Sequence, residues 1–277
     1  MGVVAIWRYP VKAMLGELLE AVQVGVGGLL GDRMWVAVDK TTGERIANKR
    51  GPTDPRLRAC RAHLGRGDEE GEAVLHVTLP DGETVTGSTI DDALSELLER
   101  RVRLERADRA GQARLGLPAA HHDFAPVHLL ATRTLAHLRS VAPATTWDVR
   151  RFRPNLVLDD GDAPAEFTED FLIGAELRGP SGVSLAVRLP TPRCVVPTRA
   201  CEELSADPGL LRTIAQHHRV DLGPFGRQPC VGAYAEVGHE GRLAVRDRIA
   251  VRAIAAASAE AAVTETIQRL ADEFGAG

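Results

Sequence analysis

The sequence predicts a mainly β protein of α+β class, with helices at the periphery of two β regions. Three observations carry this. Short β-branched and aromatic runs recur along the chain, bounded by Gly, Pro, Asn or Asp. Helix-periodic stretches are few, at 91–101, 132–141 and 210–218 and in the Ala-rich tail from 254. The 277 residues, 44% hydrophobic and 26% charged, supply one large core or two modest ones.

The elements follow in order. Val3–Tyr9 reads as a strand stopped by Pro10, and Glu20–Val24 as an alternating strand before a Gly-rich turn. Met34–Asp39 is a third, with Thr41–Glu44 turning the chain back toward Arg45–Ala47. Val74–Leu79 and Glu83–Thr86 flank Asp81-Gly82, a dipeptide that predicts a hairpin. Strands at this spacing indicate a small barrel or sandwich over residues 1–107. Residues 108–123, rich in Ala, Gly, Arg and His without a period, read as a linker or loop. The second region spans 124–253, with a helix at Thr132–Val141. Its strands fall at Leu156–Leu158, Leu185–Val187, Ala233–Val237 and Leu243–Val251. Residues 254–277 read as a C-terminal helix.

A net charge of −4 and a pI near 6.2 give no nucleic-acid-binding or polybasic membrane surface. No apolar run reaches the length of a membrane span, and the N-terminus lacks the regions of a signal peptide. Cys60, Cys194, Cys201 and Cys230 include no CxxC pair, hence neither a zinc signature nor a disulfide framework. The expected compartment is a reducing cytoplasm.

The chemistry concentrates at 186–202, "AVRLPTPRCVVPTRACE". A strand pattern is expected to break at Pro190-Thr191-Pro192 and to present Arg193-Cys194 on a loop stiffened again by Pro197. A thiolate beside positive charge on a constrained, partly exposed loop suits a reactive or metal-ligating cysteine. A buried structural cysteine beside a surface arginine is the other reading. Lys12, Arg33, Arg151, Arg153 and Arg193 follow or precede strands, where loops can gather them around one anion such as phosphate. No glycine-rich phosphate loop is present. His121, His122 and His128 read as solvent-exposed polar-loop residues rather than metal ligands, and His217-His218 reads the same way.

"YPVKAMLGE", "GLLGDRMWVAVD", "RRFRPNLVLD", "PTPRCVVPT" and "GHEGRLAVRDRIAV", in that order, resemble the MOSC family, named for the C-terminal domain of molybdenum cofactor sulfurase. The resemblance implies an N-terminal β-barrel region followed by a MOSC β-barrel domain. Two-part members, including the mitochondrial amidoxime-reducing component, bind the molybdopterin form of molybdenum cofactor and reduce N-hydroxylated compounds. Carried onto this chain, Cys194 is the metal ligand, and Lys12, Arg33, Arg151, Arg153, Asn155, Thr191 and Arg193 are cofactor contacts. Arg193 is expected to counter the cofactor's charge. Thr132 and His128 lie near the cofactor pocket by position. The family is also associated with pyridoxal phosphate binding.

The implied partners are a small N-oxygenated substrate and a separate electron-donor protein, since no CxxxxCxxC cluster is appended; neither nucleic acid nor membrane is expected. The alternatives are a cofactor-binding or sulfur-carrier protein without redox turnover, and a MOSC scaffold using Cys194 as a nucleophile. Three departures from the family pattern stand out. Ala13 replaces a common serine, Pro-Thr-Pro precedes Arg193-Cys194, and Arg246 replaces a common glycine. Arginine is expected not to copy a glycine's positive φ there, so that the last turn differs.

Overall fold

The computed structural model describes residues 1–46, 54–65, 73–107, 121–161, 166–253 and 256–274. Within them the chain is mainly β, as its pattern predicts. Residues 108–120 of the expected linker, Ala47 and the first residues of the tail lie outside this set. The chain divides into two units, each with its own core. One comprises Met1–Ile6, Leu19–Leu29 and Phe124–Gly277; the other comprises Trp7–Leu18 and Leu30–Asp123.

In the first unit the strand Val127–Ala131, "VHLLA", is buried along its whole length. Such a run reads as an interior strand flanked on both sides. It pairs antiparallel with Arg227–His239 and parallel with Leu156–Asp159. The helix Thr132–Val141 makes the crossover between the parallel pair. Gly2–Ile6 extends the sheet beyond Leu156–Asp159. On the other side, Arg227–His239 pairs with Ser184–Pro192, followed by Glu176–Arg178 and Ala250–Arg252. Val3, Ile6, Leu129, Leu156, Val187 and Ala233 belong to the core of this sheet. A second cluster packs Leu135 and Leu138 of the crossover helix against Trp147, Phe152, Leu210 and Ile214.

The strand Ser184–Pro192 corrects the expected break, because pairing continues through Pro190 and Pro192. Proline removes a ladder donor and is tolerated at bulges. The register of this strand shifts between Val187 and Leu189 and again between Pro190 and Pro192. The chain therefore leaves the sheet only at Arg193.

The second unit pairs Trp35–Asp39 with Val102–Arg106 and forms a three-stranded meander from Arg61–Gly65, Val74–Thr78 and Thr84–Thr86. The expected Asp-Gly hairpin is present. Gly82 has φ of 96°, and Asp81 accepts the amide of Glu83 at 3.0 Å. The helix Thr89–Leu98 buries Ile90, Leu94 and Leu98 on one face. It stops before the expected Arg101 because Glu99 turns left-handed at φ 54° and closes its last turn. No helix among the described residues is long and apolar enough to cross a membrane.

The closing turn corrects a second expectation, since Arg246 adopts φ of 75° and takes the backbone position of the family's glycine. The Asp247 amide donates to Ala244 O at 3.1 Å, and its carboxylate accepts the Ala244 amide at 2.8 Å. The Arg246 amide donates to Val3 O at 2.7 Å, and Asp247 O accepts from Val3 N at 2.9 Å. Two-sided backbone bonding to the first strand holds the arginine in a conformation that disfavours a side chain by about 1 kcal/mol. Arg246→Gly is therefore expected to add about 0.5 kcal/mol of stability, seen as a higher urea midpoint, after the added freedom of the unfolded chain is subtracted. A lower midpoint would show that the arginine side chain itself contributes.

Candidate functional site

Cys194 is the exposed one of the chain's four cysteines; Cys201 is half-buried, and Cys60 and Cys230 are buried. Burial pushes the thiols of Cys60 and Cys230 up to about 12, so both stay protonated and inert near neutrality. Cys194 follows the strand end at Pro192. It precedes a short 3-10 turn, Val196–Thr198, which carries Pro197. The Arg193 amide donates to Pro229 O at 2.8 Å, and the Thr198 hydroxyl donates to Val195 O at 2.7 Å. The thiol thus sits on a short loop pinned at both ends.

Arg193 lies beneath this loop, not out in front of it. Its Nε donates to Val231 O at 2.8 Å, Nη1 to Phe152 O at 3.2 Å, and Nη2 to Val231 O and His128 Nε2. The guanidinium carbon stands 5.4 Å from the centre of the Phe152 ring. Burial lowers the pKa of this arginine, and Tyr234 and Cys194 oppose that shift. Its fork is engaged inward by two carbonyls and an imidazole. It positions Cys194 by holding the backbone.

His128 is buried, contrary to the exposed-loop reading, because it belongs to the interior strand. Its Nδ1 lies 3.3 Å from Arg153 O, a pure acceptor, so Nδ1 carries the proton and Nε2 accepts from Arg193. Asn155 locks to the same residue. Its amide donates to His128 O at 2.7 Å, and its Oδ1 accepts the His128 amide at 3.1 Å. Arg153 holds φ of 53°, a left-handed residue between these contacts. Gly232 has φ of 84°, and a Cβ there would lie 2.5 Å from Leu129 O, so only glycine lets this strand approach.

Arg151 is buried, and its guanidinium donates to Thr146 O at 3.0 Å, Pro197 O at 3.3 Å, Arg199 O at 3.2 Å and Ser205 O at 2.7 Å. It therefore ties down the chain that follows Cys194. Thr191, next to Pro192 in the strand, is buried, and its hydroxyl has no hydrogen-bond partner among the described residues. Thr132 opens the crossover helix. Thr134 in the same turn donates to the buried Glu169, which also accepts the Ala131 amide at 2.6 Å. Glu169 thereby caps a helix whose own N-cap residue, Ala131, offers no side-chain acceptor.

Lys12 and Arg33 belong to the other unit. The Lys12 amide donates to Trp35 O at 2.8 Å and its ammonium pairs with Asp123 at 3.1 Å. Arg33, at φ 49°, pairs with Asp32 and lies 5.0 Å from the centre of the Tyr9 ring. Asp32 also accepts the Tyr9 amide at 2.7 Å. Ala13 adopts φ of 73° beside Lys12. His121 and His122 are buried here, again contrary to expectation. The His121 amide donates to Arg33 O at 2.8 Å, and burial pushes its imidazole down to about 4. Left-handed, non-glycine residues thus stand at or beside three of the residues singled out in the sequence: Lys12, Arg33 and Arg153. Strain of this kind gathers at functional sites.

The family descriptions "MOSC N-terminal beta barrel domain" and "MOSC domain" match residues 1–114 and 117–250. The chain belongs to the MOSC family. It has the family's two-part form, and the family is associated with molybdenum cofactor. Among solved structures, the crystal structure of the YUAD protein from Bacillus subtilis is similar at 10% identity. It covers 91% of this chain and 96% of its own, with a TM-score of 0.45. The crystal structure of YiiM from Geobacillus stearothermophilus is similar at 14% identity over 52% of this chain and 65% of its own, with a TM-score of 0.35. No curated protein matches the chain.

The donor set of this MOSC chain suits the cofactor. An exposed, loop-borne thiol is the soft ligand such a metal takes from protein. The buried hydroxyl of Thr191, three residues before it, has unmet hydrogen-bonding capacity that a polar group brought to the loop would satisfy.

Sequence reasoning missed Phe152, Val231 and Gly232, which pack or bond against Arg193 and His128, and it read His218 as exposed where it is half-buried. Of these, only Gly232 left a signal, as an isolated glycine inside a strand pattern.

Proposed function

We propose that this chain is a molybdenum-cofactor-dependent oxidoreductase that reduces N-hydroxylated small molecules, with Cys194 as the protein's ligand to the metal. The observation that carries the proposal is Cys194 itself, the exposed thiol of the four, on a loop fixed at both ends by hydrogen bonds. When bound, the cofactor supplies the two-electron chemistry that takes the oxygen from an N–OH group. The net reaction consumes two electrons and two protons and yields amine and water, with the electrons coming from a separate donor protein.

The residues of this chain do the positioning. Cys194 offers its sulfur to the metal. Arg193 and Arg151 hold the backbone on either side of it, so that the sulfur keeps one direction. Asn155 and His128 brace the strands beneath Arg193. Thr191, three residues before Cys194, brings a buried hydroxyl whose hydrogen-bonding capacity is unmet among the described residues, and it enters the reading as a cofactor contact. Lys12, Arg33 and Arg153 enter the reading as cofactor contacts through the family resemblance alone, and Thr132 through its position at the start of the crossover helix.

The test is reduction of a simple hydroxylamine or amidoxime by protein made in a cofactor-producing host, with a chemically reduced dye as electron donor. Turnover by the wild type and a loss of at least about a hundredfold in Cys194→Ser are the expected results. Metal-loaded protein without turnover would instead identify a carrier. Metal-free, folded protein would leave Cys194 as a plain nucleophile.

A further inference from the structure

His218 follows the helix Leu210–His217, which buries Leu210 and Ile214. Its amide donates to Ile214 O at 2.7 Å, closing that helix. Its ring lies flat on Phe167, with centroids 3.9 Å apart and planes 10° apart. Both ring nitrogens meet acceptors: Nδ1 is 2.8 Å from Cys230 O, and Nε2 is 2.7 Å from the Asp170 carboxylate. A carbonyl and a carboxylate can only accept, so both contacts are satisfied together only when the ring is a doubly protonated imidazolium. The neutral ring must leave one of them unmade.

Cys230 also bonds back, its amide donating to His218 O at 3.2 Å. The residues flanking Cys230 are the ones that hold the thiol loop. Pro229 O accepts the Arg193 amide, and Val231 O accepts the Arg193 guanidinium. His218 is thus one residue away from both anchors of Arg193-Cys194, and it touches neither Arg193 nor Cys194 in the described contacts.

We infer that His218 is a positioning residue whose imidazolium clamps the Pro229–Val231 backbone and thereby fixes the Cys194 loop, which loosens when His218 loses its proton. The groups facing it are Asp170 and the buried Glu169 on Thr168–Leu172, Cys230 on the strand, and His217 on its own helix. His137 on Thr132–Val141 reaches it through Phe167 and is itself 3.6 Å from Glu166. Burial works against the imidazolium, but the bonds to Asp170 and Cys230 outweigh it and raise the pKa above the ordinary histidine value. The sign follows. The clamp is complete below the ordinary value and is lost as pH rises through the raised one. Its bearing on catalysis rests on Cys194 being the metal ligand, whereas the coupling of ring to loop does not.

The test is therefore made on the protein without cofactor, by amide hydrogen exchange of the peptide containing Arg193 and Cys194. Exchange is converted to protection factors from pH 5.5 to 9. Wild-type protection is expected to fall about fivefold as His218 deprotonates, the equivalent of one lost hydrogen bond. His218→Gln, which does not titrate, is expected to show low protection at every pH. Asp170→Asn, altered at an exposed position, is expected to move the step to lower pH while the protein stays folded. A flat wild-type profile, or an unchanged step in His218→Gln, would overturn the inference. Neither result depends on whether molybdenum binds.

Discussion

Arg151→Met is expected to lower the stability of the Cys194-bearing unit by about 3 kcal/mol. Methionine fills a similar volume, so the loss does not come from a cavity. It comes from the carbonyls of Thr146, Pro197, Arg199 and Ser205, which one guanidinium now satisfies at 2.7–3.3 Å. Removing a buried charge also removes its desolvation cost, which is why the expected loss stays below the sum of the separate bonds. For a unit of this size the change corresponds to about 6–12 °C in the calorimetric midpoint. Three of the four carbonyls lie in 197–205, so exchange in that segment should rise more than in the sheet. A midpoint within a degree or two of wild type would show that water replaces the arginine without loss.

Arg193→Lys is the second large effect, and it separates two roles for the residue. If Arg193 acted by placing positive charge near an anion, lysine would preserve most of it. The structure gives it a different task, because its planar fork bonds Val231 O twice, Phe152 O once and His128 Nε2 while lying near the face of Phe152. A lysine ammonium cannot span these acceptors, and in this buried position it must be held by fewer partners. The expected loss is about 2–4 kcal/mol for lysine and a similar amount for methionine. In both variants Cys194 should be alkylated by iodoacetamide at a different rate from wild type, because its loop loses an anchor. A fully stable Arg193→Lys with unchanged thiol reactivity would contradict the positioning role.

Much of this fold was legible in the sequence, and the gaps have physical causes. The hairpin at Asp81-Gly82 and the helix Thr132–Val141 were readable from local chemistry, the first from a turn dipeptide and the second from apolar spacing. Val127–Ala131 was not, because a fully buried strand has no alternation and five residues give no period. The run through Pro190 and Pro192 read as a break because tolerance of proline depends on which backbone donors its neighbours need, a tertiary fact. Arg246 failed the rule that positive φ belongs to glycine because two backbone bonds from the turn at Arg246-Asp247 to Val3 hold it there.

The candidate site divides in the same way. Cys194 could be singled out by its neighbours Arg193 and Pro197. The direction of an arginine could not be read: Arg151 and Arg193 look like surface cations in the sequence, yet both turn inward onto carbonyls. Burial of His121 and His122 was equally hidden, since paired histidines in polar sequence give no sign of what covers them, and His128 went unread with the strand that carries it.

The central claim is that Cys194 holds the metal. Its most direct test is the molybdenum content of wild-type protein and of Cys194→Ser, both purified from a cofactor-producing host and both shown to be folded by their melting transitions. Near one metal per wild-type chain, with a sharp loss in the variant, is the predicted result. Equal molybdenum in the two proteins, or none in either, would contradict it.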